Sequence, residues 1–330
     1  MSQLQSTSIT GSIQLALNSC AFFSASCVFA TSSIGNFFFN PFTNKLQYTF
    51  CGSDGYAWSS RSAMITGRNW VVGTGTTNAT LGVGGAGGAP IYPSYACVEA
   101  YNGSTWSTGT ALATARDSGM GAGTQSDSLY FAGPSPSDTC KYNGTSWSLG
   151  GAMISGRYWG AGAGQSSTSA IALAGRIGSA YTTCTEIYNG TSWTAGGAKI
   201  TGAWQLTANG TVNATLAMGG YIPAIVTCVE KYNGIAWATG NALPAAKRIG
   251  ASSGTQTAAI NFAGNSAATY IFNGMTWSGG RDVILNRGTT SGALNGTTLS
   301  TLYFSGDVTT CTEEYGYNAI LTNSSSICSL

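Results

Sequence analysis

The six residues YNGTSW at 188–193 decide the fold, because the chain repeats them. The phrase returns as YNGSTW at 101–106, YNGTSW at 142–147, YNGIAW at 232–237 and FNGMTW at 272–277, with a looser copy, SDGYAW, at 53–58. The copies end at Trp58, Trp106, Trp147, Trp193, Trp237 and Trp277, spaced 48, 41, 46, 44 and 40 residues apart. That is the period of a repeat architecture rather than of an active-site motif. Asn-Gly signals a hairpin, since both central positions of a type I′ turn need positive φ and these residues tolerate it. Each phrase therefore reads as a turn of this type, joining an alternating segment such as TCVEKY (227–232) to a short strand carrying the Trp. Two more strand-like runs follow, in the third unit YWGAGAG (158–164) and SAIALAG (169–175), giving four short strands per repeat.

Counting from each Trp fixes the register. Six residues on stand Met64, Leu112, Met153, Lys199, Leu243 and Val283; ten residues on stand Arg68, Arg116, Arg157, Ala203, Lys247 and Arg287. A pair of small residues then ends at Gly85, Gly133, Gly175, Gly220, Gly264 and Gly306, 27 to 29 residues after the Trp. From that Gly to the next Trp the distance varies from 13 to 21 residues. The length variation thus falls in one connection, between the second and third strands of each unit.

A hydrophobic residue followed by Arg, a Gly-rich inner strand, a strand closing in paired small residues, then Glu-x-Tyr, a turn and a Trp: this order resembles the kelch repeat, over about residues 54–315. The resemblance implies an all-β fold, a β-propeller of four-stranded blades set radially around a channel. The phrases YNGTSW and GAGTQ (121–125) and the N-terminal stretch GNFFFNPFTNKLQYTF (35–50) look like repeat proteins of bacteriophage virions, especially fibres and decorations. Ala203 and Lys247 depart from the Arg pattern, and the last unit ends EEYGYNAI with no Trp. A ring whose last blade borrows its outer strand from the N-terminus would supply that Trp as Trp58. Six blades are expected, or seven if residues 20–52 form a blade of their own. Residues 1–45 are expected to be an assembly arm with a hairpin, and 46–330 the propeller with a short tail.

Composition narrows function. Of the 330 residues only 7% are charged, net charge is +2, and Lys and Arg form no run, so the attraction that drives nucleic-acid binding is missing. The chain has no histidine, which removes the commonest general base and metal ligand; no cofactor or metal is expected. Nine cysteines are present. Cys97, Cys184, Cys228 and Cys311 each precede a repeat Tyr by four residues, so they occupy equivalent places in sheets about 10 Å apart, too far for disulfides. They are expected to be small buried hydrophobes. The apolar run AFFSASCVFA (21–30) has no positive residue before it, which argues against a signal peptide, and no stretch reads as membrane-spanning. Three of the eight N-x-S/T sequons are the Asn-Gly of the phrase, where turn chemistry explains them.

Residues that recur with the blades are expected to build them. Glu99, Glu186, Glu230 and Glu313 stand two before the repeat Tyr and read, with the recurring Arg, as ties between strands. A copper oxidase of kelch type would need His ligands. A sialidase would put Asp where its box-like GSTW (103–106) and GMTW (274–277) follow Tyr or Phe, and Asp54, Asp117, Asp127, Asp138, Asp282 and Asp307 show no pairing for a two-carboxylate glycosidase. No enzyme is expected. Aromatics outside the register are the candidate ligand face: Tyr92, Tyr95, Arg176, Tyr181 and Tyr221 in the variable connections, with Trp70, Tyr158, Trp159 and Trp204 ahead of the inner strands. Rings with polar neighbours suit carbohydrate. The resemblance implies a non-enzymatic virion structural protein, a fibre, spike or decoration, whose partners are other virion proteins or sister subunits and a host-surface glycan. The alternative is a lectin, secreted by a bacterium or on its surface.

Overall fold

The computed structural model describes residues 25–28, 34–40, 45–51, 56–289 and 291–317, with side chains from 56 to 316. The five Asn-Gly phrases turn the chain by the same device. The Oδ1 of Asn102 accepts the N–H groups of Ser104 and Thr105, both at 2.9 Å, and Asn143, Asn189, Asn233 and Asn273 repeat the arrangement. The expected two-residue type I′ turn is corrected here. Pairing of Tyr101 with Trp106 leaves a four-residue loop, and among its Asn-Gly pair only Gly103 has positive φ (92°). The Asn side chain mimics a backbone turn and needs no left-handed conformation.

The turns build six four-stranded antiparallel sheets, and the fold is a six-bladed β-propeller. The inner strands are Val72–Thr76, Met120–Gly123, Ala161–Ser166, Thr207–Thr211, Ala251–Gly254 and Ser291–Gly292. Numbering blades from Val72, the outer strands of blades 1 to 5 begin at Trp106, Trp147, Trp193, Trp237 and Trp277. Blade 6 takes its outer strand, Tyr56–Arg61, from ahead of blade 1, against Thr312–Tyr317. The inner strands pack in a closed circuit in which blade 6 meets blade 1 directly, so the count is six and the seven-blade alternative falls.

The recurrent aromatics are core. Each Trp faces the Tyr or Phe of the adjoining third strand, at centroid distances of 4.8 to 5.3 Å in all six blades. Between blades a second contact repeats. The indole N–H of Trp58, Trp106, Trp193 and Trp237 donates to the hydroxyl of Thr269, Thr312, Thr139 and Thr185, on the third strand of the preceding blade. Blades 1 and 4 carry Val98 and Val229 at that place. There Trp147 and Trp277 turn to the carbonyls of Thr110 and Asn241 and are less buried. The blades thus form two triplets. Gln125 of blade 2 and Gln256 of blade 5 likewise bridge backward alike, to the carbonyls of Thr80 and Tyr101 and of Thr215 and Tyr232.

The charged repeat positions are buried ties. Arg68–Glu99 (2.9 Å), Arg157–Glu186 and Arg287–Glu313 (3.0 Å) are ion pairs with side chains at most 3% exposed. Each Glu also accepts two N–H groups of the incoming connection, as Glu99 does from Ile65 and Thr66. In blade 4 the Arg is lost to Ala203, and Lys199, four residues earlier, pairs with Glu230 at 2.8 Å. Where Glu is missing, Arg116 turns to Asp138 (2.7 Å), and Lys247 donates to the carbonyls of Ala263, Ser266 and Ala268. Burial lowers the Lys199 ammonium and brings that of Lys247 down to about 8.

The small pairs explain why the next connection folds back over one face. In all six blades both members are left-handed, from Gly84 and Gly85 (62° and 99°) to Ser305 and Gly306 (66° and 91°). The second must be Gly: a Cβ on Gly133 would lie 2.4 Å from the Asp117 carbonyl.

The cysteine expectation is corrected. Cys97, Cys184 and Cys228 are half-buried and Cys311 is exposed; of the five cysteines whose side chains are described only Cys140 is buried, and all five are free. Their place is the rim where the variable connection enters the third strand, and what the fold uses there is the backbone carbonyl, which at Cys97 and Cys311 accepts from Arg68 and Arg287.

The described residues divide into two units, with the propeller comprising Trp58–Gly316. In the other, Ala25–Val28, Ile34–Asn40 and Lys45–Cys51 form a three-stranded antiparallel sheet that contains the N-terminal hairpin. The rest of the expected arm, residues 1–24, and the tail beyond 317 lie outside the described residues.

Candidate functional site

Each connection into an inner strand ends on a residue twelve after the repeat Trp, and all six are non-glycine residues in the left-handed region: Trp70, Ser118, Trp159, Gln205, Ile249 and Thr289, with φ of 51° to 57°. Such a conformation costs about 1–2 kcal/mol per residue. It is held by bonds running from blade to blade, with the N–H of Trp70, Trp159, Gln205 and Ile249 donating to the carbonyls of Thr289, Ser118, Trp159 and Gln205. This ring rims the channel. Below it lies a cavity of about 130 Å³ walled by the inner strands, chiefly Gly, Ala, Ser, Thr, Val and Leu, with no charged side chain. The channel itself offers little to hold a ligand.

The variable connections meet the same face. Tyr158 bridges Arg176, Trp204 bridges Tyr221 and Asn69 bridges Ala86. Across blades 3 and 4 the structure brings five predicted residues into one row. Tyr158 stands against Trp159 (4.8 Å), Trp159 against Trp204 (4.8 Å) and Trp204 against Tyr221 (5.8 Å), while the Arg176 guanidinium lies 5.0 Å from the Trp204 ring centre. Trp70 and Tyr92 form a separate pair on blade 1 at 5.5 Å. Tyr95 is spent on backbone pairing with Gly85 and Arg116, and Tyr181 is exposed on the small hairpin of Arg176–Ile177 with Ala180–Tyr181.

Two further residues belong to the face. Arg248 places its guanidinium 5.1 Å from the Tyr221 ring centre, extending the row onto blade 5. Gln205 sits in the rim beside Trp204. Both were reachable from the register: the residues eleven and twelve after each Trp are Asn69-Trp70, Asp117-Ser118, Tyr158-Trp159, Trp204-Gln205, Arg248-Ile249 and Gly288-Thr289. Selecting aromatics rather than positions overlooked them.

The indole N–H groups of all six blade tryptophans have partners. Those of Trp70, Trp159 and Trp204 are enclosed with no hydrogen-bond partner, as is the side-chain oxygen of Gln205. An enclosed donor left unpaired costs about 1–3 kcal/mol; the Tyr101 and Tyr188 hydroxyls and the Nε of Arg116 and Arg157 inside the blades share this condition, so what sets the rim groups apart is their place beside half-buried rings on an open face.

The described carboxylates at the face are engaged by the chain's own groups. Asp117 accepts the hydroxyls of Ser94 (2.5 Å) and Ser118 (2.6 Å), and Asp307 accepts the N–H of Gly288 (3.0 Å). Asp138 is paired with Arg116, and Asp54 lies outside the described residues. Burial raises the Cys97 and Cys140 thiols, which keeps them from the thiolate form. Among the described residues no three His, Cys, Asp or Glu side chains gather as metal ligands, and no helix is long and apolar enough to cross a membrane.

No protein-family model matches the chain, and no curated protein matches it.

Proposed function

We propose that the chain is a non-enzymatic recognition and assembly protein of a phage particle, a fibre, spike or decoration, whose rim face engages a host-surface glycan or a neighbouring virion protein. The observation that carries the recognition reading is the contrast between tryptophans. Those that recur with the blades are satisfied by the fold, whereas the three on the rim are half-buried rings with unpaired donors, and one of them, Trp204, lies beside the Arg176 guanidinium. Rings that stack and groups that hydrogen-bond are what a saccharide or a polar protein surface requires. The virion assignment rests on the sequence resemblance, and the paucity of charge agrees with a surface held in water by hydroxyls and amides.

The test is binding of the full chain to purified phage particles and to a glycan array, with Trp159→Ala beside Ile235→Ser, an exposed turn residue. Binding to particles, lost in Trp159→Ala and kept in Ile235→Ser, supports the proposal. Sugar binding with the same dependence but no particle binding favours the bacterial lectin. If Trp159→Ala binds every probe as the parent does, the rim is not the recognition face.

A further inference from the structure

We propose that the aromatic row of blades 3 and 4 takes an acidic saccharide, with Arg176 and Arg248 as its anion anchors; this rests on the rim being a recognition face.

The cations of the propeller sort cleanly. Arg61, Arg68, Arg116, Arg157, Lys199 and Arg287 are paired with carboxylates. Lys141, Lys231 and Lys247 donate to backbone carbonyls. The side chains of Arg176, Arg248 and Arg281 have no hydrogen-bond partner among the described residues. Arg281 is exposed and stands four residues beyond Trp277, at the end of an outer strand. The other two lie on the rim, half-buried, each against a ring of the row, and the Nε of each is enclosed without a partner.

A chain with only 13 Lys and Arg that leaves two guanidinium groups unpaired beside its aromatic row has charge available for a ligand. Stacking on Trp204 and Tyr221 holds both side chains in place before binding, so little rotamer freedom remains to be lost. The carboxylates of the rim lie elsewhere, Asp117 on blade 2 and Asp307 on blade 6, so blades 3 to 5 form its cationic sector. A guanidinium is a planar two-pronged donor suited to a carboxylate or a sulfate, and sugar rings stack on the indoles beside it. Two cations and a net charge of +2 do not follow a polynucleotide backbone, and a neutral sugar would accept hydrogen bonds from the guanidinium groups but leave their charge without a counter-ion.

The experiment is an array on which sialylated, uronate-containing and sulfated oligosaccharides stand beside neutral counterparts of the same backbone, probed with the full chain, Arg176→Gln, Arg248→Gln and Trp159→Ala. Thermal midpoints of the variants are compared first to establish folding. Binding to acidic members over their neutral counterparts, weakened about tenfold by either Arg variant, is expected, since hydrogen bonds to charged groups contribute that much or more. The carboxylated and sulfated arms then identify which anion is read. Equal binding to neutral counterparts, or acidic binding untouched in both folded Arg variants, overturns the inference while the recognition face stands on its Trp159 dependence. Binding to no acidic glycan also overturns it, and the recognition reading is then decided separately by the Trp159 dependence of particle binding.

Discussion

Moving one buried cation along the chain is a sharp trial of the repeat logic. Lys199 and Glu230 are each 4% exposed and 2.8 Å apart, while blades 1 and 3 place Met64 and Met153 at the lysine position and reach their Glu from an Arg four residues later. Lys199→Met therefore leaves the Glu230 carboxylate buried with its two backbone N–H bonds, from Ile200 at 2.9 Å and Thr201 at 3.1 Å, and without its cation. Breaking a buried pair on one side costs about 3–5 kcal/mol, and the remaining bonds hold the loss toward the lower figure. Ala203→Arg alone crowds two cations onto one carboxylate and is also destabilising. The double variant rebuilds the arrangement of blades 1 and 3, so it should recover most of the loss, with a coupling of about 2–3 kcal/mol. Urea unfolding of the four proteins, followed by circular dichroism, measures the cycle. A double variant no more stable than Lys199→Met would refute the equivalence of the two positions.

The other expectations are briefer. Thr185→Val removes the acceptor of the 2.9 Å bond from Trp237 and should cost about 1 kcal/mol, with Trp237 turning outward as Trp147 does; Val98→Thr should draw Trp147 inward, both read from crystal structures of the variants. Burial pushes the Tyr303 hydroxyl up to about 12 and raises that of Tyr130 as well. Free tyrosine releases its proton near pH 10, so the unfolded chain loses protons there that the folded chain keeps. Stability is therefore unaffected below about pH 10 and falls as pH rises toward 12, by up to about 1.4 kcal/mol per pH unit for each tyrosine. Tyr303→Phe should make that fall shallower in urea titrations, and an unchanged slope would show that Tyr303 titrates normally. In the binding assays above, Trp159→Ala should abolish recognition and Ile235→Ser should not.

The propeller was legible because its parts recur. Four strands, a fixed-length half, one variable connection and a borrowed outer strand all follow from residues counted off the six tryptophans. What stayed hidden was chemistry decided between blades. Nothing in the phrase YNGTSW says whether its Trp is buried; that depends on Thr or Val some fifty residues earlier, on the neighbouring blade. Lys199 at an otherwise apolar position and Ala203 at the Arg position are two halves of one change, visible only through their shared partner Glu230. The Asn-Gly turn was found in the right place with the wrong geometry, because the propensity of Asn for positive φ and its capacity to cap a turn give the same sequence signal.

The rim follows from the same reasoning. The arginines of the repeat register each meet a carboxylate of their own blade, even though single atoms such as the Nε of Arg116 and Arg157 stay unpaired. Arg157 and Arg176 show the two cases within one blade. The first is buried and bonded to Glu186 and to the Ala172 carbonyl; the second, nineteen residues on, is half-buried against Trp204 with no bond from its guanidinium to the described chain. Arg248 directly follows Lys247, whose ammonium meets three carbonyls, yet the guanidinium itself meets only the Tyr221 ring. The core is tied together without the second member of either pair. On the reading proposed above, the charge these two place beside rings awaits a partner from outside the chain, which puts the binding test on blades 3 to 5 rather than on the uncharged channel below them.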